Sequence, residues 1–336
     1  MIEQDTQLRL KLYHYKKFNA MHIKNIIAIS VFLLIFPLVA LAQNEKPRVI
    51  VSTDIGGGDP DDFQSMVHYL VYADRFDTEG LISSPPLGGR LSHIYEAIQA
   101  YEKDYPKLKK HGKFPAPQAL RKISKQGATE IQSNLEPDSL SEGAAWIIQQ
   151  AQKKDTRPLY VLVWGSITDV AQAVHAEPTI TEKIRVYSIG SWNTRQDPKA
   201  RDYLYDNHPD LWWIECNTTF RGMYMGGKQD GDLGNLSFVE QHIKDYGHLG
   251  KLFWEQKKDI KMGDTPSVFY LLHGDPSDPE GESWGGSFLK TAHGNSHWTD
   301  KPDEGLVENN KPGAKTVNKW REDYLRDWQK RMAWLK

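Results

Sequence analysis

Arg48-Val49-Ile50-Val51-Ser52-Thr53-Asp54-Ile55-Gly56-Gly57-Gly58-Asp59-Pro60-Asp61-Asp62 is the stretch that decides the fold. Residues 48–53 read as a short strand buried in a sheet. The run stops at Asp54, and the next eight residues hold three glycines and three more aspartates. From Phe63, apolar residues recur at Met66, Val67, Leu70 and Val71, which is helical spacing. The decisive segment is therefore a strand, an acidic glycine-rich loop and a helix.

The same alternation continues along the chain. Residues 78–84 read as a second strand and 93–101 as a helix; 140–152 is helical, with Ser141 and Glu142 at its start. Residues 158–164 form a strand that reaches Gly165-Ser166, followed by a helix over 167–175. Strands over 184–190 and 211–214 follow, then a polar Pro- and Gly-containing loop over 301–315. A closing amphipathic helix spans 320–334, where the chain is expected to end with its fold. Strands alternating with helices predict an α/β fold, a mainly parallel sheet with helices on both faces. Ligands of such sheets bind beyond the carboxyl ends of the strands. Asp54, Ser83-Ser84 and Gly165-Ser166 all lie at such ends, which places the expected site.

The acidic loop has an electrostatic problem. Two carboxylates ~4 Å apart at an effective dielectric near 20 repel by about 4 kcal/mol. A folded cluster of Asp54, Asp59, Asp61 and Asp62 therefore needs a cation, a proton or wide separation. Oxygen-only ligands favour Ca²⁺ or Mg²⁺ over Zn²⁺, and Gly56-Gly57-Gly58 lets the backbone bring Asp54 back toward Asp61 and Asp62. The competing reading is a solvated loop whose Asp62 caps the next helix. An EF-hand loop counted from Asp59 would put Gln64 and Leu70 where Gly and Glu belong, and no Gly-Lys-Ser/Thr follows the glycines as in a phosphate loop.

A formal net charge of −2 argues against a general nucleic-acid binder, and the single cysteine, Cys216, excludes an intrachain disulfide. Residues 1–42 read as a targeting segment. Met21 to Asn25 is cationic, Ile26 to Leu41 is apolar, and Ala40-Leu41-Ala42 offers a cleavage site, with 1–20 an upstream extension. The expected location is the periplasm or outside the cell, with an N-terminal membrane anchor as the alternative. Residues 43–336 then form one domain. Most of the eleven tryptophans are expected in the core, with Trp192 and Trp284 as candidates for stacking on a sugar.

Val51-Ser52-Thr53-Asp54-Ile55-Gly56 with Asp61-Asp62 resembles the opening motif of the inosine–uridine nucleoside hydrolase superfamily. The longer loop, through Asp59-Pro60-Asp61-Asp62, is closer to an exported bacterial branch, nucleoside-hydrolase-like and labelled cellulose-binding. Glu79-Gly80-Leu81-Ile82, Trp164-Gly165-Ser166-Ile167-Thr168-Asp169-Val170-Ala171, and Gly263-Asp264-Thr265-Pro266-Ser267 with Trp284-Gly285-Gly286 agree with that branch. Relatives that carry the cellulose-binding label have a further C-terminal domain, which this chain is expected to lack.

The resemblance implies a nucleoside-hydrolase-like fold and a Ca²⁺ held by the carboxylates of Asp54, Asp62 and Asp264 and the main-chain carbonyl of Thr168. It also implies that Asp54 is the general base on water activated by the cation, and that Asp61 holds a sugar hydroxyl. Asn193, Asp197 and Trp284 are further expected sugar contacts. Ser52 departs from the aspartate usual in the main family, and Gly263 from the histidine that helps the base leave in purine-active members. The expected partner is a small sugar-containing substrate, a glycoside or a nucleoside, acted on by a hydrolase that is a homo-oligomer in many relatives. The alternative is a non-catalytic carbohydrate-binding protein that keeps calcium.

Overall fold

The computed structural model describes residues 45–86, 88–131, 135 and 140–336. Two compact units divide the chain at residues 46 and 47, and the second, Pro47–Lys336, is the one described below. The targeting segment expected at 1–42 lies outside the described residues. Among the described residues no helix is long and apolar enough to cross a membrane.

The chain begins with β1 (Arg48–Thr53), α1 (Asp61–Val71), β2 (Asp77–Ser83), α2 (Leu91–Leu108), α3 (Pro117–Ile123) and β3 (Ser124–Gln126). It returns through α4 (Glu142–Ala151), β4 (Leu159–Val163), α5 (Thr168–Ala176), β5 (Ile184–Ile189), α6 (Trp192–Gln196), α7 (Pro198–Asn207) and β6 (Trp212–Cys216). The last third holds α8 (Asn235–His242), α9 (Gly247–Gln256), α10 (Thr265–Leu272), β7 (Phe288–Lys290), β8 (His297–Asp300), α11 (Ala314–Asn318) and α12 (Arg321–Met332).

The sheet has eight strands in the order β3-β2-β1-β4-β5-β6-β8-β7. All neighbours are parallel except β7 against β8. Alternate residues of β1 enter different cores: Val49 and Val51 join the one built with α1, α2, α8, α9, α10 and α12, and Ile50 the one built with α4, α5 and α7. A strand covered on both faces must be apolar throughout, which is why 48–53 shows no alternation. The winding direction reverses between β1 and β4, and a doubly wound sheet opens a crevice at the carboxyl ends of the two strands flanking such a reversal. Asp54 leaves β1 and Trp164 leaves β4 at that point.

The long apolar strands and their helices fall within a few residues of the sequence expectation. The three short strands β3, β7 and β8 were not expected, and Lys301 to Lys315, read as loop, carries a short turn at Glu304–Leu306 and the start of α11. At the opposite end of β1 from the crevice, Arg48 is 1% exposed and donates to both carboxylate oxygens of Glu79 at 2.8 and 2.9 Å. It also donates to the carbonyls of Gln150 and Arg157 at 2.7 and 3.1 Å, so one side chain ties β1, β2 and the segment after α4 together. Truncating one member of a buried pair strands the other charge. Arg48→Ala is expected to lower unfolding free energy by about 3 kcal/mol, read from urea denaturation; a loss below about 1 kcal/mol would show that the pair is replaceable by solvent.

Candidate metal and sugar site

Thr53 ends β1 with its hydroxyl turned to Asp62, whose Oδ1 accepts from Thr53 Oγ1. Asp62 is therefore held from behind and does not cap α1, whose N-cap is Pro60 with no side-chain cap. The loop between folds tightly: Gly57 N–H donates to the Asp54 carbonyl at 2.9 Å. Gly56 has φ +87, and a Cβ there would sit 1.9 Å from Nδ1 of His93, which in turn bonds the Ile55 carbonyl at 3.0 Å. A larger residue at this position would open the loop.

Asp264 arrives from the far end of the chain. It precedes α10 without capping it through its side chain, and its Oδ2 is buried with no hydrogen-bond partner. Its carbonyl instead accepts from Ser267 Oγ at 2.7 Å, and Ser267 Oγ accepts from Trp164 Nε1 at 2.8 Å. The end of β4 and the start of α10 are thus joined. Carboxylate oxygens of Asp61, Asp62 and Asp264 lie within 4.8 Å of one another. Asp54 lies against the same group, its carboxyl hydrogen-bonded to that of Asp62.

The charges behave as the crowding dictates. Burial first, then repulsion from neighbouring aspartates, holds Asp61, Asp62 and Asp264 well above the ordinary carboxylate range. Asp54 is raised from 3.8 to about 7, mainly by burial. Asp59 behaves differently: burial would raise it, but Lys261, whose Nζ is 2.6 Å away, holds it below its usual value. The orphaned Asp264 oxygen and an all-oxygen donor set fit a hard divalent cation.

These carboxylates form one end of a cleft of about 360 Å³ whose other walls are Trp164, Ile189 to Asn193, Phe220, Arg221, Tyr224 and Lys261. Asn193 lines it, with Nδ2 donating to the carbonyls of Trp164 at 2.5 Å and Ile189 at 3.0 Å. Trp192 is 50% exposed at its mouth.

Three expected residues lie elsewhere. Thr168 is the first residue of α5, is not among the residues lining the cleft, and donates its hydroxyl to Asp197. At the end of β4, Gly165 packs so closely on the acidic loop that a Cβ on it would meet Asp54 Cβ at 2.8 Å. Asp197 is 1% exposed and fully used, capping α7 through Ala200 N–H at 3.1 Å and accepting from Thr168 and Ser166. Trp284 stacks on His273 at 4.9 Å and packs against Phe269, as core wall. The cleft residues missed from the sequence are Trp164, Ser191, Phe220, Arg221, Tyr224 and Lys261. Of these only Trp164 carried a signal, standing at a strand end beside the quoted turn.

Residues 48–288 match the family described as cellulose-binding Sde182, nucleoside hydrolase-like domain. The chain belongs to this family. A similar solved structure is a nucleoside hydrolase-related hypothetical protein from Saccharophagus degradans associated with carbohydrate metabolism, 27% identical with a TM-score of 0.70 over 87% of this chain and 72% of that one. An inosine-uridine preferring nucleoside hydrolase from Bacillus anthracis shares the fold at 14% identity and a TM-score of 0.50, covering 85% of this chain and all of the other. So does the type III effector XopQ, solved with adenosine diphosphate ribose, at 11% identity and 0.53, over 87% and 94% of the two chains. No curated protein matches this family member.

Without a cation the raised carboxyls bind protons in the folded state that the unfolded chain releases, so stability is lost as pH rises from 3.8 toward about 7. In EDTA the melting temperature is expected to fall between about pH 5 and about pH 8, and Ca²⁺ is expected to reverse most of that fall. Scanning calorimetry with and without chelator checks this; a profile that is flat in EDTA would mean the carboxyls are not raised on folding.

Proposed function

We propose that this protein is a Ca²⁺-dependent hydrolase of glycosyl bonds, N- or O-linked, in which Asp54 is the general base. The observation that carries the reading is the convergence of Asp54, Asp61 and Asp62 with the distant Asp264 on one cleft, with an Asp264 oxygen left without a protein partner. Asp54, Asp62 and Asp264 are the groups that would hold the cation; bound there, it would supply positive charge and acidify water in the cleft. Asp54 lines the cleft and is raised to about 7, so as the base it takes the proton from water attacking an anomeric carbon. Asp61, which also lines the cleft, accepts from a sugar hydroxyl in this reading, and the remaining negative charge favours the oxocarbenium character of the transition state. Export, as the N-terminal sequence suggests, gives the enzyme small sugar-containing molecules outside the cytoplasm.

The leaving group is not a purine activated by a histidine beside Asp264. Gly263 occupies that position and has no side chain to offer; a Cβ on it would stand 2.7 Å from Asp61 Oδ2, so a larger residue would have to displace the Asp61 carboxylate. This same observation supports the second reading, a carbohydrate-binding protein that keeps the cation without turnover.

Calorimetric titration of Ca²⁺ separates the parts of the proposal. Asp264→Ala is expected to abolish binding that the wild type shows. On a glycoside or nucleoside cleaved by the wild type, Asp54→Asn should reduce turnover by at least about 100-fold. Turnover unchanged in Asp54→Asn would remove Asp54 as the base; saccharide binding with Ca²⁺ but no product from any substrate would favour the second reading.

A further inference from the structure

The cleft holds charges of both signs. Besides the carboxylates, the cleft is lined by Arg221, half-buried, on the turn Thr219–Met223 that follows β6. Lys261, the other cation of the cleft, is already paired with Asp59 at 2.6 Å. Arg221 has no carboxylate partner among the described residues. Its Nη1 donates to Tyr224 Oη at 3.1 Å and its Nη2 to Ser191 Oγ at 3.3 Å, while its Nε is buried with no acceptor. A guanidinium presents a rigid fork of donors matched to carboxylate and phosphate oxygens, and here the fork is filled by two neutral hydroxyls only.

The turn that carries it is fixed from two sides. Asp300, at the end of β8, accepts from the N–H groups of Asn217, Thr218 and Thr219 at 3.1, 3.0 and 2.8 Å. Arg321 donates to the Met223 carbonyl at 2.9 Å. An arginine on so constrained a turn is preorganised and does not sweep through solvent. Ser191 provides an independent sign. It is a non-glycine residue at φ 59, held there by its N–H on Asn217 Oδ1 at 2.9 Å. Such a conformation is costly and concentrates at ligand sites; here it turns a hydroxyl toward the guanidinium. Tyr224 Oη accepts from Arg221, which leaves its own proton to donate into the cleft.

We propose that the cleft takes a sugar bearing an anionic group, a carboxylate or a phosphate, and that Arg221 binds this group with the hydroxyls of Ser191 and Tyr224. The sugar half of the assignment rests on the hydrolase reading; the anion half rests on Arg221 alone. The carboxylate end would hold the cation and the sugar ring, and the guanidinium end the negative substituent, so the substrate is oriented by charge along the cleft.

The test is calorimetric binding to the full chain in saturating calcium chloride, using glucuronate against glucose and ribose 5-phosphate against ribose. The anionic member of at least one pair is expected to bind at least about tenfold more tightly. Preference for glucuronate alone assigns a carboxylate, and for ribose 5-phosphate alone a phosphate. Arg221→Gln should remove the preference while leaving the affinity for Ca²⁺ at the wild-type value, which also certifies its fold; Arg221→Lys, keeping charge but not the fork, should retain part of it. Equal affinities within both pairs, no binding by any of the four, or a preference that survives Arg221→Gln overturn the proposal, the last because the cation would then be holding the anion. Absence of any cleavage would remove the hydrolase reading and leave this binding preference standing.

Discussion

Mutual repulsion among buried carboxylates is the constraint around which this fold is arranged. Four aspartates from two ends of the chain meet beyond the carboxyl edge of the sheet, close enough that burial and one another's charge push their pKa values upward. At about 4 kcal/mol for each close pair of full charges, a protein of ordinary stability cannot carry them all ionised without compensation. The surroundings are built to hold the cluster in place: Thr53 backs Asp62, Trp164 and Ser267 fix the backbone at Asp264, and Gly165 lets β4 come against Asp54. Each is a feature of strand ends, which is where a doubly wound sheet leaves room.

Much of this was legible in the sequence because its determinants are local or strongly patterned. A strand buried on both faces is largely an apolar run, and β1, β4, β5 and β6 could be read that way, while β2 was read from Leu81-Ile82 and the small polar residues that end it. The acidic loop declared itself through its density of Asp and Gly. Short polar strands such as Ser124–Gln126 and His297–Asp300 carry no period, and only the neighbouring strand makes them strands. Turn register is equally hidden. Nothing in the sequence around Gly165 announces that it packs against Asp54. Asp197 looked like a sugar ligand because a polar residue follows a strand there, yet both of its oxygens are consumed inside the fold. Arg221 was invisible, since nothing local distinguishes an arginine that lacks an acid from one that has it.

The comparison with nucleoside hydrolases is therefore uneven across the site. The carboxylate end is the part that the shared motifs describe. Ser191, Phe220, Arg221 and Tyr224, which also line the cleft, are not touched by those motifs, and Gly263 beside Asp61 offers no side chain. Membership of the family accounts for where the site lies, whereas these other lining residues decide what can enter it.

The way Asp264 reaches the cluster also bears on how the molecule assembles. Ser65 and Thr265, which touch beneath the site, are 200 residues apart in the chain. Closing so long a loop is slow, and contacts of this separation form late in folding. A nascent chain would thus hold Asp54, Asp61 and Asp62 without their fourth member until β4, β5 and β6 are in place and α10 docks. Divalent cations should then act chiefly on the unfolding rate of the finished molecule, while the rate of folding stays nearly indifferent to them.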